Sequence, residues 1–353
     1  MDRRRFHIAA AAAGLAATAG PTRLPQAAIS GGNPAADCRW RRFGIPYTIE
    51  LAGASGTKRP TPLRVPVAQT ASYYQRAHAY QRAHAPSCFS TVARAALVHD
   101  PVYGAGMLRT DWNGAGPQAV ELAQIVETRD RLPNDRTERP AIPAELRLYR
   151  QATPSMPTDG IVQEAAMRIV AGIGAAEARL RAINDWVVNT SFRDAAVGGC
   201  GLGNIATMLK TRYLGGKCAH INGLIVGLAR AAGLPARGVY RIRVADPRLA
   251  RSLGHSGGIS KVQHCRAAVH LDGRGWFVVD PADVRKVILE EGLFGSLEMN
   301  WIGDNSARDF QQSDAPRSMD FLLYPYAFTA GSKPDCLDPV TVRYGITAGE
   351  LPA

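Results

Sequence analysis

Gly215-Gly216-Lys217-Cys218-Ala219-His220-Ile221-Asn222 is the stretch that decides how the rest is read. Its paired glycines let the backbone approach closely and turn. Ile221, Leu224, Ile225 and Leu228 then recur at helical spacing, and the pattern stops at Gly233 with Pro235 just beyond. A helix is therefore expected to begin near Cys218. Its N-terminus carries unpaired N–H groups and partial positive charge. Both favour thiolate over thiol, and the thiolate is the nucleophile. The same N–H groups can hold a developing oxyanion.

Working outward, Gln263-His264-Cys265-Arg266 begins 45 residues after Cys218, and Trp276-Phe277-Val278-Val279-Asp280-Pro281 follows it. Strands are expected over Gly238–Val244, His264–Leu271 and Trp276–Val279, the last two joined by the hairpin loop Asp272-Gly273-Arg274-Gly275. His264 opens one strand of that hairpin and Asp280 ends the other, and in an antiparallel pair those ends lie together. Counted from a four-residue loop the two are offset by three positions, roughly 10 Å at strand rise, so a skew or bulge has to bring them into contact. The expected roles are a nucleophile at Cys218, a base and acid at His264, and an orienting carboxylate at Asp280.

Other residues compete for these roles. His220 lies two positions beyond Cys218, which on a helix turns it away from the thiol. His270 shares a face with His264 but lies about 20 Å along the strand. His255 sits in a Gly/Ser loop and is expected to face solvent, and Asp283 is a second acid beside Asp280. Cys218, His220, His264 and Cys265 also raise a metal site, but adjacent strand residues face opposite sides, so His264 and Cys265 should not share an ion. No metal and no cofactor are expected, and no Asp-rich calcium loop occurs. Cys265 is expected in the core or in a bridge, and Trp276 and Trp186 as core aromatics.

The chain has 353 residues, 46% of them hydrophobic, enough for two domains with ample cores. Its formal charge of +12 comes from 36 scattered arginines and 6 lysines. Without a basic stripe interleaved with aromatics, that charge does not indicate nucleic acid; it suits anionic envelope polymers or membrane surfaces. Arg3-Arg4-Arg5-Phe6 ahead of the alanine-rich Ile8–Ala19 reads as a twin-arginine type signal peptide over residues 1–19, with Ala17-Thr18-Ala19 as a cleavage site. A periplasmic or secreted protein with no membrane span in its mature chain is expected. The six cysteines are Cys38, Cys88, Cys200, Cys218, Cys265 and Cys336. With Cys218 free, they allow at most two bridges.

Residues 20–37 read as a linker. Residues 38–150 read as a β-rich domain with strands at Arg42–Leu51, Leu63–Val67, Val120–Thr128 and Leu146–Arg150. The tandem hexapeptide from Tyr74 to Ala85 within it reads as a solvated loop rather than a histidine metal site. Residues 151–330 open with helices over Ile161–Val170 and Ala175–Val188, and residues 331–353 read as a C-terminal tail. Helices followed by an antiparallel sheet make the fold class α+β.

With these residues in place, the chain resembles the transglutaminase-like superfamily, in its exported bacterial branch. The matching text is Gly199-Cys200-Gly201, Gly215 to Cys218, Leu228-Ala229-Arg230-Ala231, Gly233 to Arg237, Gln263 to Ala267, and Gly275-Trp276 with Asp280 to Val284. Together the motifs are highly specific, from about Pro157 to Phe328. The resemblance implies a papain-like core, in which the cysteine helix packs on an antiparallel sheet, and a Cys-His-Asp triad at Cys218, His264 and Asp280. Asn204 and His220 stand where the branch often has acids, and Ala268 where it often has glutamate. The implied activity is attack on amide bonds of a peptide, protein or peptidoglycan-peptide substrate through a thioester, resolved by water or an amine. The alternatives are a non-catalytic peptide- or glycan-binding module of the same fold, and a small metal-binding or redox protein.

Overall fold

The computed structural model describes residues 40–51, 62–69, 74–84, 92–112, 118–131, 141–248, 251–287, 294–295, 298, 300–311, 319–327 and 342–352. All of these belong to one compact unit. The signal-peptide segment, the linker, Cys38, Cys88 and Cys336 lie outside the described residues.

Alternation builds the first strands. In β1 (Arg41–Leu51), Phe43, Ile45, Tyr47, Ile49 and Leu51 turn inward at every second position. β2 (Leu63–Pro66), β3 (Gln75–His84), β4 (Val92–His99) and β5 (Gly106–Trp112) follow. β6 (Gln118–Thr128) buries Val120, Leu122, Gln124 and Val126 in the same rhythm. The tandem hexapeptide, expected as a solvated loop, lies in β3, antiparallel to β6 with register shifts at Ala77/Ala79 and Gln81/His84. Six residues make a whole number of strand periods, so nothing in the repeat opposes an extended chain once β6 offers an edge.

The strand expected over Leu146–Arg150 is instead the end of helix α1 (Pro143–Leu148). Pro143 presets φ for the first turn, and Glu145 early and Arg147 late suit the helix dipole. A short apolar run does not by itself separate strand from helix.

The second half is built around one buried helix. α2 (Gly160–Ile169) and α3 (Ala176–Thr190) fall close to their expected spans. β7 (Phe192–Arg193) runs parallel to β8 (Gly215–Gly216). Between them α4 (Ile205–Thr211), absent from the expected helices, is capped by the Asn204 side chain, which accepts from the Thr207 N–H at 3.0 Å. In α5 (Cys218–Ala231) every residue from Ile221 to Arg230 is buried, so it is a core helix without a solvent face. It stops as expected: Gly233 takes φ +84, and the Leu234 N–H closes on Ala229 O at 2.9 Å.

α5 packs on a sheet of order β12-β11-β9-β13, formed by β9 (Ala236–Arg243), β11 (Gln263–Leu271), β12 (Gly275–Val279) and β13 (Trp301–Asn305). β10 (Gly257–Gly258) precedes β11, and α6 (Pro281–Val287) follows β12. The chain then adds β14 (Arg308–Phe310), β15 (Met319–Phe321), β16 (Tyr326–Ala327) and β17 (Val342–Leu351).

β17 falls in the stretch read as a tail, yet it pairs with β1 and β10 in a sheet of order β10-β17-β1-β6-β3. A third sheet has the order β16-β2-β5-β4. Phe43, Ile45 and Leu122 from the N-terminal strands share a core with Ile242, Ile302 and Ile346. The architecture is α+β, as expected. Among the described residues no helix is long and apolar enough to cross a membrane.

Candidate active site

Cys218 is the first residue of α5, and steric need explains the glycines before it. A Cβ on Gly215 would stand 2.4 Å from the Phe192 ring, and one on Gly216 would stand 2.5 Å from His220 Cβ. Lys217, the N-cap, is extended and makes no side-chain cap, and the first turn holds no acid. The leading N–H groups of α5 therefore keep their positive end toward whatever lies in front. The loop before α4 is tied to this terminus by Ala219 N–H donating to Cys200 O at 2.9 Å.

That tie brings in a thiol the sequence did not place. The sulfurs of Cys200, Cys218 and Cys265 lie within 4.8 Å of one another, all three buried and free. Hydrogen bonds from Cys218 and Cys265 hold Cys200 well below the usual thiol range, while burial pushes Cys265 well above it. Two thiols of one sulfur cluster are thereby pushed in opposite directions. Cys265 belongs to the core, as one of its two expected fates had it.

His264 and Asp280 meet without a bulge. Leu271 pairs with Gly275 and Ala267 with Val279, so the hairpin loop has three residues rather than four. Extending that register sets Asp280 opposite Arg266, two positions from His264 rather than three. Diagonal neighbours at that spacing are within reach of long side chains. The His264 ring points Nε2 at Asp280 Oδ2, 2.9 Å away.

Four donors fix the Asp280 carboxylate. Oδ2 also accepts from Arg266 Nε at 2.7 Å. Oδ1 accepts from Asn222 Nδ2 at 3.0 Å and from the Asp283 N–H at 3.1 Å. Asp280 thereby caps α6, with Pro281 at its first position, a pairing the sequence displays. Burial opposes the charge on Asp280, but His264 and Arg266 outweigh it and hold the carboxyl well below its ordinary range. Burial likewise opposes an imidazolium, yet Asp280 and then Asp283 raise His264 to about 9.

Trp301 forms a plate beneath these groups. Its ring lies 3.2 Å from the Arg266 guanidinium and 4.7 Å from the His264 ring. Arg243 lies over the same ring and binds both oxygens of Asp283, at 2.6 and 2.8 Å. Asp283 is thus committed to Arg243, although its Oδ1 stands 3.5 Å from His264 Nε2.

Cys218 and His264, 4% and 5% exposed, both line one cleft of about 360 Å³. His255, expected in solvent, is exposed and lines this cleft as well. Its Nε2 lies 2.6 Å from Gly258 O. His220 is half-buried, with its ring against Gly201. His270 rests edge-on to Trp276 further along β11, and Trp276 packs on Tyr149. The cysteine cluster and the His264-Asp280-Asp283 cluster are the groups whose spacing would suit a metal among the described residues. His264 and Cys265 fall in different groups. Asn222 and Arg266 had signals, one turn after Cys218 and two residues after His264; Cys200 was marked only by the Gly199-Cys200-Gly201 motif, and Trp301 had no signal.

Residues 163–281 match the family profile described as the transglutaminase-like superfamily, a span that contains Cys218, His264 and Asp280. An uncharacterized protein of Haemophilus influenzae is 33% identical over 344 residues, covering 88% of this chain and 91% of that one. The crystal structure of a candidate cysteine protease from Cytophaga hutchinsonii aligns with a TM-score of 0.55 at 14% identity, over 89% of this chain and 92% of that one. At that identity the likeness is one of fold.

Proposed function

The chain belongs to the transglutaminase-like superfamily, and on that premise we propose that it is an exported thiol enzyme acting on amide bonds of peptides or proteins. Cys218 is the nucleophile, His264 the acid and base, and Asp280 the group that orients the ring. The carrying observation is the His264–Asp280 bond of 2.9 Å, made by a ring that lines the same cleft as Cys218. Because Nε2 is engaged by the carboxylate, Nδ1 is the nitrogen left to serve the thiol.

In the reaction, the Cys218 thiolate attacks the amide carbonyl and a C–S bond forms. The Cys218 N–H, first of α5, stabilises the oxyanion, since the Ala219 N–H is held by Cys200 O and the His220 N–H by Lys217 O. His264, held charged by Asp280, gives its proton to the amine nitrogen; the C–N bond breaks and the amine leaves. The thioester is then attacked by water, whose proton passes to His264, and the thiolate departs. An amine in place of water would give transfer; hydrolysis is the reading adopted, because water is always present.

Export rests on Arg3-Arg4-Arg5-Phe6 and the apolar stretch that follows. The test is to incubate wild type and Cys218→Ala with envelope peptides and assay ammonia and new amine termini. Release by wild type alone supports the reading. Equal release by both would remove Cys218 from the reaction, and peptide binding that survives the substitution with no release by either would replace the enzyme with the binding module.

A further inference from the structure

The cleft in front of Cys218 is charged in one sense. Arg193, Lys217, Arg243, Lys261 and Lys286 line it against the single acid Asp283, which is already paired with Arg243. The whole chain has six lysines, and three of them stand here. Two other acids near the rim are turned into bonds of their own. Asp194 accepts from Tyr213 Oη and the Ala196 N–H, and Asp246 accepts from Ser256. Lys286 is pushed below the usual lysine range, by burial first and then by Arg243 and Arg193. Four cations thus gather around the thiol without an acid of their own among the cleft residues. A concave site lined by one sign of charge focuses its field and concentrates the opposite ion.

We propose that this cleft selects substrates carrying a carboxylate beside the amide that Cys218 attacks, such as an acidic side chain or a free C-terminus. The inference rests on the thiol-enzyme reading for its chemistry, but the charge of the cleft can be measured without turnover. At about 360 Å³ the cleft is near the small end of ligand pockets, so it takes a short segment of chain. The carboxylate then lies close to Lys217, which directly precedes the nucleophile, and to Lys261, three residues before His264. Ammonium groups on flexible stems adapt to several carboxylate positions, which suits recognition of charge rather than of one fixed shape.

The probes are iodoacetate and iodoacetamide, acting on the full chain with modification at Cys218 read by peptide mapping. The ratio of the two rates cancels the thiolate fraction common to both reagents. At about 0.01 M salt the iodoacetate-to-iodoacetamide ratio should exceed that of free cysteine by at least about tenfold. It should fall toward the free-cysteine value at about 1 M salt, and also in Lys217→Gln and Lys261→Gln at low salt. A ratio equal to that of free cysteine in wild type, unchanged by salt, overturns the proposal without reference to any variant's folding. Loss of envelope-peptide turnover in Cys218→Ala tests the enzyme reading separately. In wild type, peptides with glutamate beside the cleaved amide should be turned over faster than their glutamine counterparts; equal rates also count against the proposal.

Discussion

Asn222 Nδ2 reaches Asp280 Oδ1 at 3.0 Å, so the helix that begins with Cys218 also holds the carboxylate facing His264. The same nitrogen donates to Cys265 O at 2.6 Å, and Asn222 Oδ1 accepts the Ala282 N–H at 3.3 Å. One buried amide therefore joins α5, β11 and the start of α6.

Asn222→Ala should cost about 2–3 kcal/mol, because a bond to a charged group is lost and buried partners are left unmatched. Urea unfolding measures this directly. A loss under about 0.5 kcal/mol would mean that the amide carries no weight.

Catalysis in the proposed reaction needs a protonated His264 to release the amine. With that ring raised to about 9, turnover should hold at neutral pH and decline as pH passes about 9. Asp280→Asn removes the larger of the two raising carboxylates, so the alkaline limb should move down toward the ordinary histidine value. A pH profile of kcat for both proteins checks this; an unmoved limb would assign it to another group.

Stability follows from the same pair. His264 is raised above its ordinary 6.5, so its contribution is fully present below that pH and is lost as pH rises through about 9. Asp280 is depressed below its ordinary 3.8, so its contribution is present above that pH and is lost as pH falls through the lower folded value. The pair therefore stabilises most between those ordinary values. Urea midpoints in about pH 5 and about pH 10 buffers should favour the lower pH, and His264→Gln should shrink the difference.

Trp301 is 1% exposed and supports His264, Arg266 and Arg243. Trp301→Ala should cost about 3–5 kcal/mol, whereas Trp301→Phe keeps a ring in place and should cost less. Thermal melts rank the two, and equal losses would show that a retained ring contributes nothing at this position.

What could be read from the chain was local. Gly215-Gly216 before Cys218 announces a tight entry into a helix, and Gly233 with Pro235 announces its end. His264 and Asp280 flank one hairpin, so their approach was visible, although one residue in the loop count set the offset wrong. Asn222 and Arg266 lie on the same helix face and strand face as residues already singled out. Trp301 and β17 come from far along the chain, Cys200 from a loop 18 residues before Cys218, and no periodicity links them to Cys218. The hexapeptide strand β3 depends on the edge offered by β6, a partner outside its own sequence.

The last strand has a bearing on when the molecule can work at all. Arg41 and Glu350 meet at 3.0 Å although 309 positions separate them, and the Ile259 N–H closes on Ile346 O at 2.7 Å just before Lys261. A ribosome must therefore deliver β17 before the wall of the cleft that carries His255 and Lys261 can settle. Nascent or clipped copies lacking β17 would have their thiol but not its finished surroundings, which delays the competent state until that strand has been made.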